Sequence, residues 1–198
     1  GEASLFELRL RYHEEMDALF GRFRVPEERP FTSGLPEARR RVVLVDHDLA
    51  IDDFDAVNLS REILAAYRGL VPGLCPPGDD AQYGSSVEHD VHALQAIGRR
   101  IHYGAMHVAE AKYRSDPAGY RRLIEERDTA AMEARLTRPE VERRVLERVA
   151  DKVAALQARA NMSVRVAVDP AVVQRFYRDA VIPLTRKGEV LYLMARRP

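Results

Sequence analysis

Tryptophan is absent from this 198-residue chain and cysteine occurs once. A lone Cys75 makes neither an internal disulfide nor a cysteine-based metal site, so apolar burial has to hold the fold. No stretch approaches the ~18 consecutive apolar residues of a membrane span, and the start lacks an apolar segment followed by a small-residue cleavage site. A surplus of one charge is also missing. Thirty-one Lys+Arg balance 31 Asp+Glu for a formal net charge of +0, which argues against binding by phosphate neutralisation and so against a nucleic-acid partner. The chain contains no GxSxG, no glycine-rich phosphate loop and no HExxH. His89 and His92 are three apart and His102 lies near Glu110, while Cys75 sits between Leu74 and two prolines. Metal, nucleophilic, phosphoryl-transfer and dinucleotide chemistries lose their usual carriers, so no metal and no cofactor are expected. The composition suits a reducing compartment, read as cytoplasmic, with a secreted or organellar chain processed before Gly1 left open.

What is present is helical periodicity over a length that fits one domain, 1–198. Leu5, Leu8, Tyr12, Met16, Leu19 and Phe23 mark one face of a first helix from Leu5 to Phe23. A loop with three prolines follows, from Val25 to Pro36, and the β-branched run Val42 to Val45 is expected as an extended segment without a sheet. A second helix is expected from Ile51 to Val71, ended by Pro72, with a further break over Cys75 to Asp80. After Gly84-Ser85-Ser86, positions 87, 91, 94, 98, 101, 105, 108 and 112 recur at alternating 4 and 3, apolar except for the terminal Lys112. Asp116-Pro117 opens a helix carrying Tyr120, Leu123, Ile124 and Met132. Thr137 to Glu140 has capping-box spacing and opens one whose inner row is Glu142, Leu146, Val149, Val153 and Leu156. Asp169-Pro170 opens the last helix, which Pro183 should kink. The expected fold is all-α, a helical bundle with a long irregular connecting region.

Three charges fall where a core pattern would place aliphatic residues: Lys112, Glu142 and Glu189, the last one turn after Thr185. Each lies at a helix end, where a long side chain can snorkel to water. For Lys112 the composition argues otherwise. Only three of the 31 basic residues are lysines (Lys112, Lys152, Lys187), and a compact ammonium donates from a point in a way that a guanidinium fork does not. Inward cations beside two carboxylates suit a small anionic molecule gripped without a cofactor.

The string Leu94-Gln95-Ala96-Ile97-Gly98-Arg99-Arg100-Ile101-His102-Tyr103-Gly104, continued by Val108-Ala109-Glu110-Ala111-Lys112-Tyr113, resembles the all-helical chorismate mutases of fungi and plants. Three further blocks agree in order: Pro26 to Phe31, Gly78-Asp79-Asp80 leading to Gly84-Ser85, and Val181 to Thr185 leading to Glu189-Val190 and Tyr192-Leu193. The resemblance implies conversion of chorismate to prephenate in aromatic amino-acid biosynthesis by a cofactor-free homodimer. The runner-up is an inactive relative that uses the fold to bind a protein partner. By resemblance, Arg100 would clamp a substrate carboxylate, and Lys112 would donate to the ether oxygen and a carboxylate. Glu142 would bind the hydroxyl, Thr185 would seat the other end, and protonated Glu189 would donate to the ether oxygen. Arg138 stands where some members place a small polar group near that hydroxyl.

Family members begin with a further helix bearing a substrate-gripping arginine, and the Leu5–Phe23 helix resembles the one after it. An effector site for aromatic amino acids, between subunits, is matched by Arg22, Gly84 and Ser85, though not by Gly21 and Glu88. The family also spaces its long-helix Arg and Lys by eleven residues, whereas Arg100 and Lys112 are twelve apart. At about 100° per residue, eleven steps return to nearly the same face and twelve leave the two roughly 120° apart. A single π-bulge near Gly104 would absorb the extra residue.

Overall fold

A computed structural model describes residues 3–44, 47–75, 77–78, 81–159 and 168–197, and among these there are helices and no strand. Helix α1 (Leu5–Phe20) starts on a capping box in which the Ser4 hydroxyl accepts the Glu7 N–H and the Glu7 carboxylate accepts the Ser4 N–H. It stops at Gly21, whose φ of 85° is the left-handed geometry that glycine adopts freely. A 3-10 turn, Arg22–Arg24, follows, so Phe23 lies beyond the helix expected to contain it.

The expected apolar face of α1 is not the buried one. Leu5, Leu8, Tyr12 and Met16 are 44–66% exposed, while Leu10, Glu14 and Ala18 point inward. The cause is Glu14. Its carboxylate accepts the Phe31 N–H at 2.8 Å, the Thr32 N–H at 2.8 Å and the Thr32 hydroxyl at 2.6 Å, donors that the proline-rich loop cannot place in a ladder of its own. The same loop is tied by Arg29, which donates to the Phe23 and Val25 carbonyls and to Asp55. Phe31 packs on Gly98, where a β-carbon would come within 2.8 Å of its ring. The Pro26–Phe31 block therefore staples α1 to the long helix.

Helix α2 (Ser60–Leu74) begins later than expected, after a 3-10 turn at Phe54–Val57, and runs through Pro72. Pro72 falls in the last turn, where it removes the bond its N–H would give to the Arg68 carbonyl, but the Cys75 N–H still reaches the Val71 carbonyl at 3.0 Å and closes the helix. Val42, Val43 and Leu44 lie outside any regular element, and Val45 falls outside the described residues. The segment expected as one helix after Asp116 is two, α5 (Pro117–Glu125) and α6 (Thr129–Leu136), because Arg127 turns left-handed at φ 53° and Asp128 caps α6 through the Ala131 N–H. Thr137 caps nothing downstream, since its hydroxyl donates back to the Glu133 carbonyl. Helix α7 (Pro139–Arg159) has no buried residue, and Leu156, expected on an inner row, is 68% exposed. Its main packing is against α8 (Pro170–Phe176).

The long helix consists of α3 (Ser85–Tyr103), a π-turn at Gly104–Val108, and α4 (Ala109–Ser115). The final helix is likewise α8, a π-turn at Tyr177–Val181, and α9 (Ile182–Ala195). The break expected at Pro183 takes the form of this second π-turn, which leaves the proline in the first turn of α9. α9 crosses the first π-turn closely. A β-carbon on Gly188 would collide with Ala105, and one on Gly104 would lie 2.6 Å from Thr185 Cγ2. One apolar cluster, with Met106, Met132 and Tyr192, lies on the α4 side of this crossing. The other, with Ile63, Leu94 and Ile101, lies on the α3 side. His102 is buried beside the second: burial pushes its pKa down to about 4, and its neutral Nε2 accepts the N–H of Leu59, a member of that cluster, at 3.0 Å. Among the described residues no helix is long and apolar enough to cross a membrane.

Candidate active site

The π-turn decides what the long helix can present. Twelve residues of regular α-helix would splay Arg100 and Lys112, but the wider turn takes up one residue, so the pair behaves as though eleven apart. Both side chains line one cavity of about 460 Å³, a size typical of small-molecule sites. Arg138 and Glu142, before and in the first turn of α7, line it too, as do Thr185 and Glu189 on α9. Four separate segments thus bring all six residues expected for catalysis or substrate binding to one place. Gly104 contributes by absence: Arg100 Nη1 and the Thr185 methyl occupy the space beside its Cα that a β-carbon would claim.

The deepest contact is an ion pair. The Lys112 Nζ donates to both Glu189 oxygens at 2.7 and 2.9 Å and to the Leu136 carbonyl at 3.1 Å. The Lys112 side chain is 15% exposed and that of Glu189 5%. Burial pushes the Glu189 carboxyl above the usual carboxylate range, while the charges of Lys112, Arg186 and Arg138 pull the other way. Raised affinity for a proton on a carboxyl facing a cavity is what a donor to a developing oxyanion requires. Across the cavity Arg186 bonds the Glu142 carboxylate and lies 3.7 Å from Glu133. The Thr185 hydroxyl donates to the Val181 carbonyl at 2.7 Å, leaving its oxygen lone pairs available.

Arg186 is the residue that sequence reasoning missed. It precedes Glu189 by three, a spacing that puts the two on neighbouring positions of one helical face, and that spacing was the signal for it. The residues expected at an effector site are not together within the chain. Arg22 is held by Asp17, Glu28 and Gln95, and Gln95 is ten residues, about 15 Å, along α3 from Ser85. Gly84 and Ser85 form the start of α3. Among the described residues no three His, Cys, Asp or Glu side chains converge as metal ligands.

Fold and site together define an all-helical protein with a cation-lined cavity for a small molecule. No family model matches the chain. It is 39% identical over 206 residues to a chorismate mutase of Schizosaccharomyces pombe, covering 98% of this chain and 78% of that protein. A solved chorismate mutase from Candida albicans, in complex with L-Trp, superposes with a TM-score of 0.88 at 34% identity, over 99% of this chain and 75% of that one. The chloroplast chorismate mutase from Zea mays gives 0.81 at 34% identity, over 96% and 78%. The chain belongs to the chorismate mutase family.

Replacing Lys112 by Met strands the Glu189 carboxylate in a buried place and is expected to cost about 3 kcal/mol of stability at pH 8. Because protonation removes the stranded charge, the loss shrinks as pH falls toward the ordinary carboxylate range. Urea unfolding of both proteins at pH 8 and pH 5 measures this, and an equal loss at the two values would contradict it.

Proposed function

We propose that this protein rearranges chorismate to prephenate. What supports the reading is the convergence of Arg100, Lys112, Arg138, Glu142, Thr185 and Glu189 on a single cavity, together with family membership. The rearrangement is unimolecular: one C–O bond breaks as one C–C bond forms, with no proton transfer and no covalent adduct. A protein accelerates it by holding the compact conformer of a dianion and by placing donors where charge grows on the ether oxygen. Arg100 would hold a carboxylate. Lys112 and protonated Glu189, 2.7 Å apart, would both face the ether oxygen, while Glu142 takes the substrate hydroxyl and Thr185 seats the far end. Arg186 would keep Glu142 aimed.

A homodimer is part of the same reading. The outward row Leu5, Leu8, Tyr12, Met16 and Phe20 on α1 is an apolar stripe that the described residues leave 44–66% exposed, as an interface between two copies would need. A shared effector pocket would then draw Arg22 from one copy and Gly84-Ser85 from the other, with an aromatic amino acid as the ligand, the class bound in the Candida albicans structure.

Three outcomes test this. Chorismate turnover, followed by loss of its absorbance, falls as pH rises because the protonated Glu189 is the donor; Glu189→Gln flattens the profile, and identical profiles would remove that role. Deleting His107 turns the π-turn into an α-turn with the eleven-residue spacing, about 20° from perfect alignment, and keeps turnover within about threefold. Deleting both Met106 and His107 leaves the cations ~80° apart and abolishes it; equal activity in the two deletions would contradict the register argument. In sedimentation equilibrium the native chain is a dimer and the double variant Leu8→Glu, Met16→Glu a monomer. A monomeric native chain would end the dimer proposal.

A further inference from the structure

The cavity holds four cations, Arg100, Lys112, Arg138 and Arg186, against two acids, Glu142 and Glu189. Lys112 is committed to Glu189 and Arg186 to Glu142. Those two contacts leave Arg100 and Arg138. Among the described residues neither of these guanidiniums has a hydrogen-bond or ion-pair partner. What sets these two apart is their place: both line the walls of one cavity, where unpaired guanidiniums are charge held in reserve. Each stands on a different element, Arg100 near the end of α3 and Arg138 immediately before α7. Arg138 is also one helical turn from Glu142, so its side chain rises from the same end of α7 that presents that carboxylate.

A guanidinium is a planar fork of donors that fits a carboxylate through two parallel hydrogen bonds. Two unpaired forks facing one cavity match a ligand with two carboxylates. We infer that Arg138 is the second carboxylate clamp of this protein, acting opposite Arg100. The inference rests on the proposed chorismate reading and sharpens it, assigning the far carboxylate to Arg138, which lines the cavity. Arg138 would hold that carboxylate in ground state and transition state alike, so its loss weakens binding more than it slows the bound substrate.

The test uses the full chain, its Arg138→Asn and Arg138→Lys variants, chorismate, and a rigid bicyclic ether diacid shaped like the compact conformer together with its two monoamides. Arg138 is exposed and unpartnered, so the variants should melt within about 2 °C of the native chain. In Arg138→Asn the KM for chorismate rises about ten- to hundredfold with kcat changed severalfold at most, and Arg138→Lys recovers part of the loss. In calorimetry the native chain loses affinity for both monoamides, whereas Arg138→Asn binds one of them as well as it binds the diacid, because the group that distinguished them is gone. An unchanged KM, or both monoamides still discriminated in Arg138→Asn, overturns the clamp while native turnover leaves the chorismate reading standing. A native chain that neither turns over chorismate nor binds the diacid overturns both.

Discussion

A regular α-helix advances about 100° per residue, and twelve residues do not bring it back to where it started. The site depends on a local exception to that constraint. Five residues, Gly104–Val108, widen the helix by one, and only then do the guanidinium at 100 and the ammonium at 112 look into the same space. The widened turn also has to be approached closely from the other side. Gly188 and Gly104 remove the β-carbons that would hold α9 away, so Glu189 arrives within hydrogen-bond reach of Lys112 and Thr185 settles against Gly104. Backbone width, two missing side chains and one buried ion pair are a single geometric solution.

The electrostatics follow from that geometry. Glu189 is almost wholly enclosed, its carboxyl drawn toward the protonated form by burial and toward the charged form by Lys112. Such a balance places a group between two states at modest energetic cost, which suits a donor that need not release its proton. Nothing in the proposed reaction asks any side chain to move a proton or form a bond. The machinery is accordingly a set of fixed charges on helices, braced by contacts such as Arg186 with Glu142 and by the apolar clusters on either side of the crossing.

The helical nature of the chain was legible from periodicity, and the π-turn from counting once the resemblance had paired Arg100 with Lys112 at an eleven-residue spacing, because one extra residue between two cations of a shared site has few physical remedies. Lys112 was legible through scarcity, Glu142 and Glu189 through charge at inner positions. The α1 face was misread because an apolar row is read as core, and only the tertiary demand of the loop for acceptors reveals that Glu14 goes inside instead. The inner row expected on α7 is half-buried from Glu142 through Val153 and ends exposed at Leu156: periodicity reports which residues share a face, not how far along it another element covers them. Arg186 was overlooked among 28 arginines, where abundance hides function. The split between α5 and α6 hinged on one left-handed residue, Arg127, and an arginine carries no propensity signal for that geometry.

The bulge in the long helix also bears on how such a scaffold tolerates a change of length. Substitutions alter a wall one side chain at a time, but adding a codon within a helix normally rotates everything downstream and destroys whatever the two ends had in common. Here the added length is quarantined in one swollen turn between Gly104 and Val108. The segments before and after it keep their orientation, so this wall can lengthen by a single step without its two ends having to be selected anew.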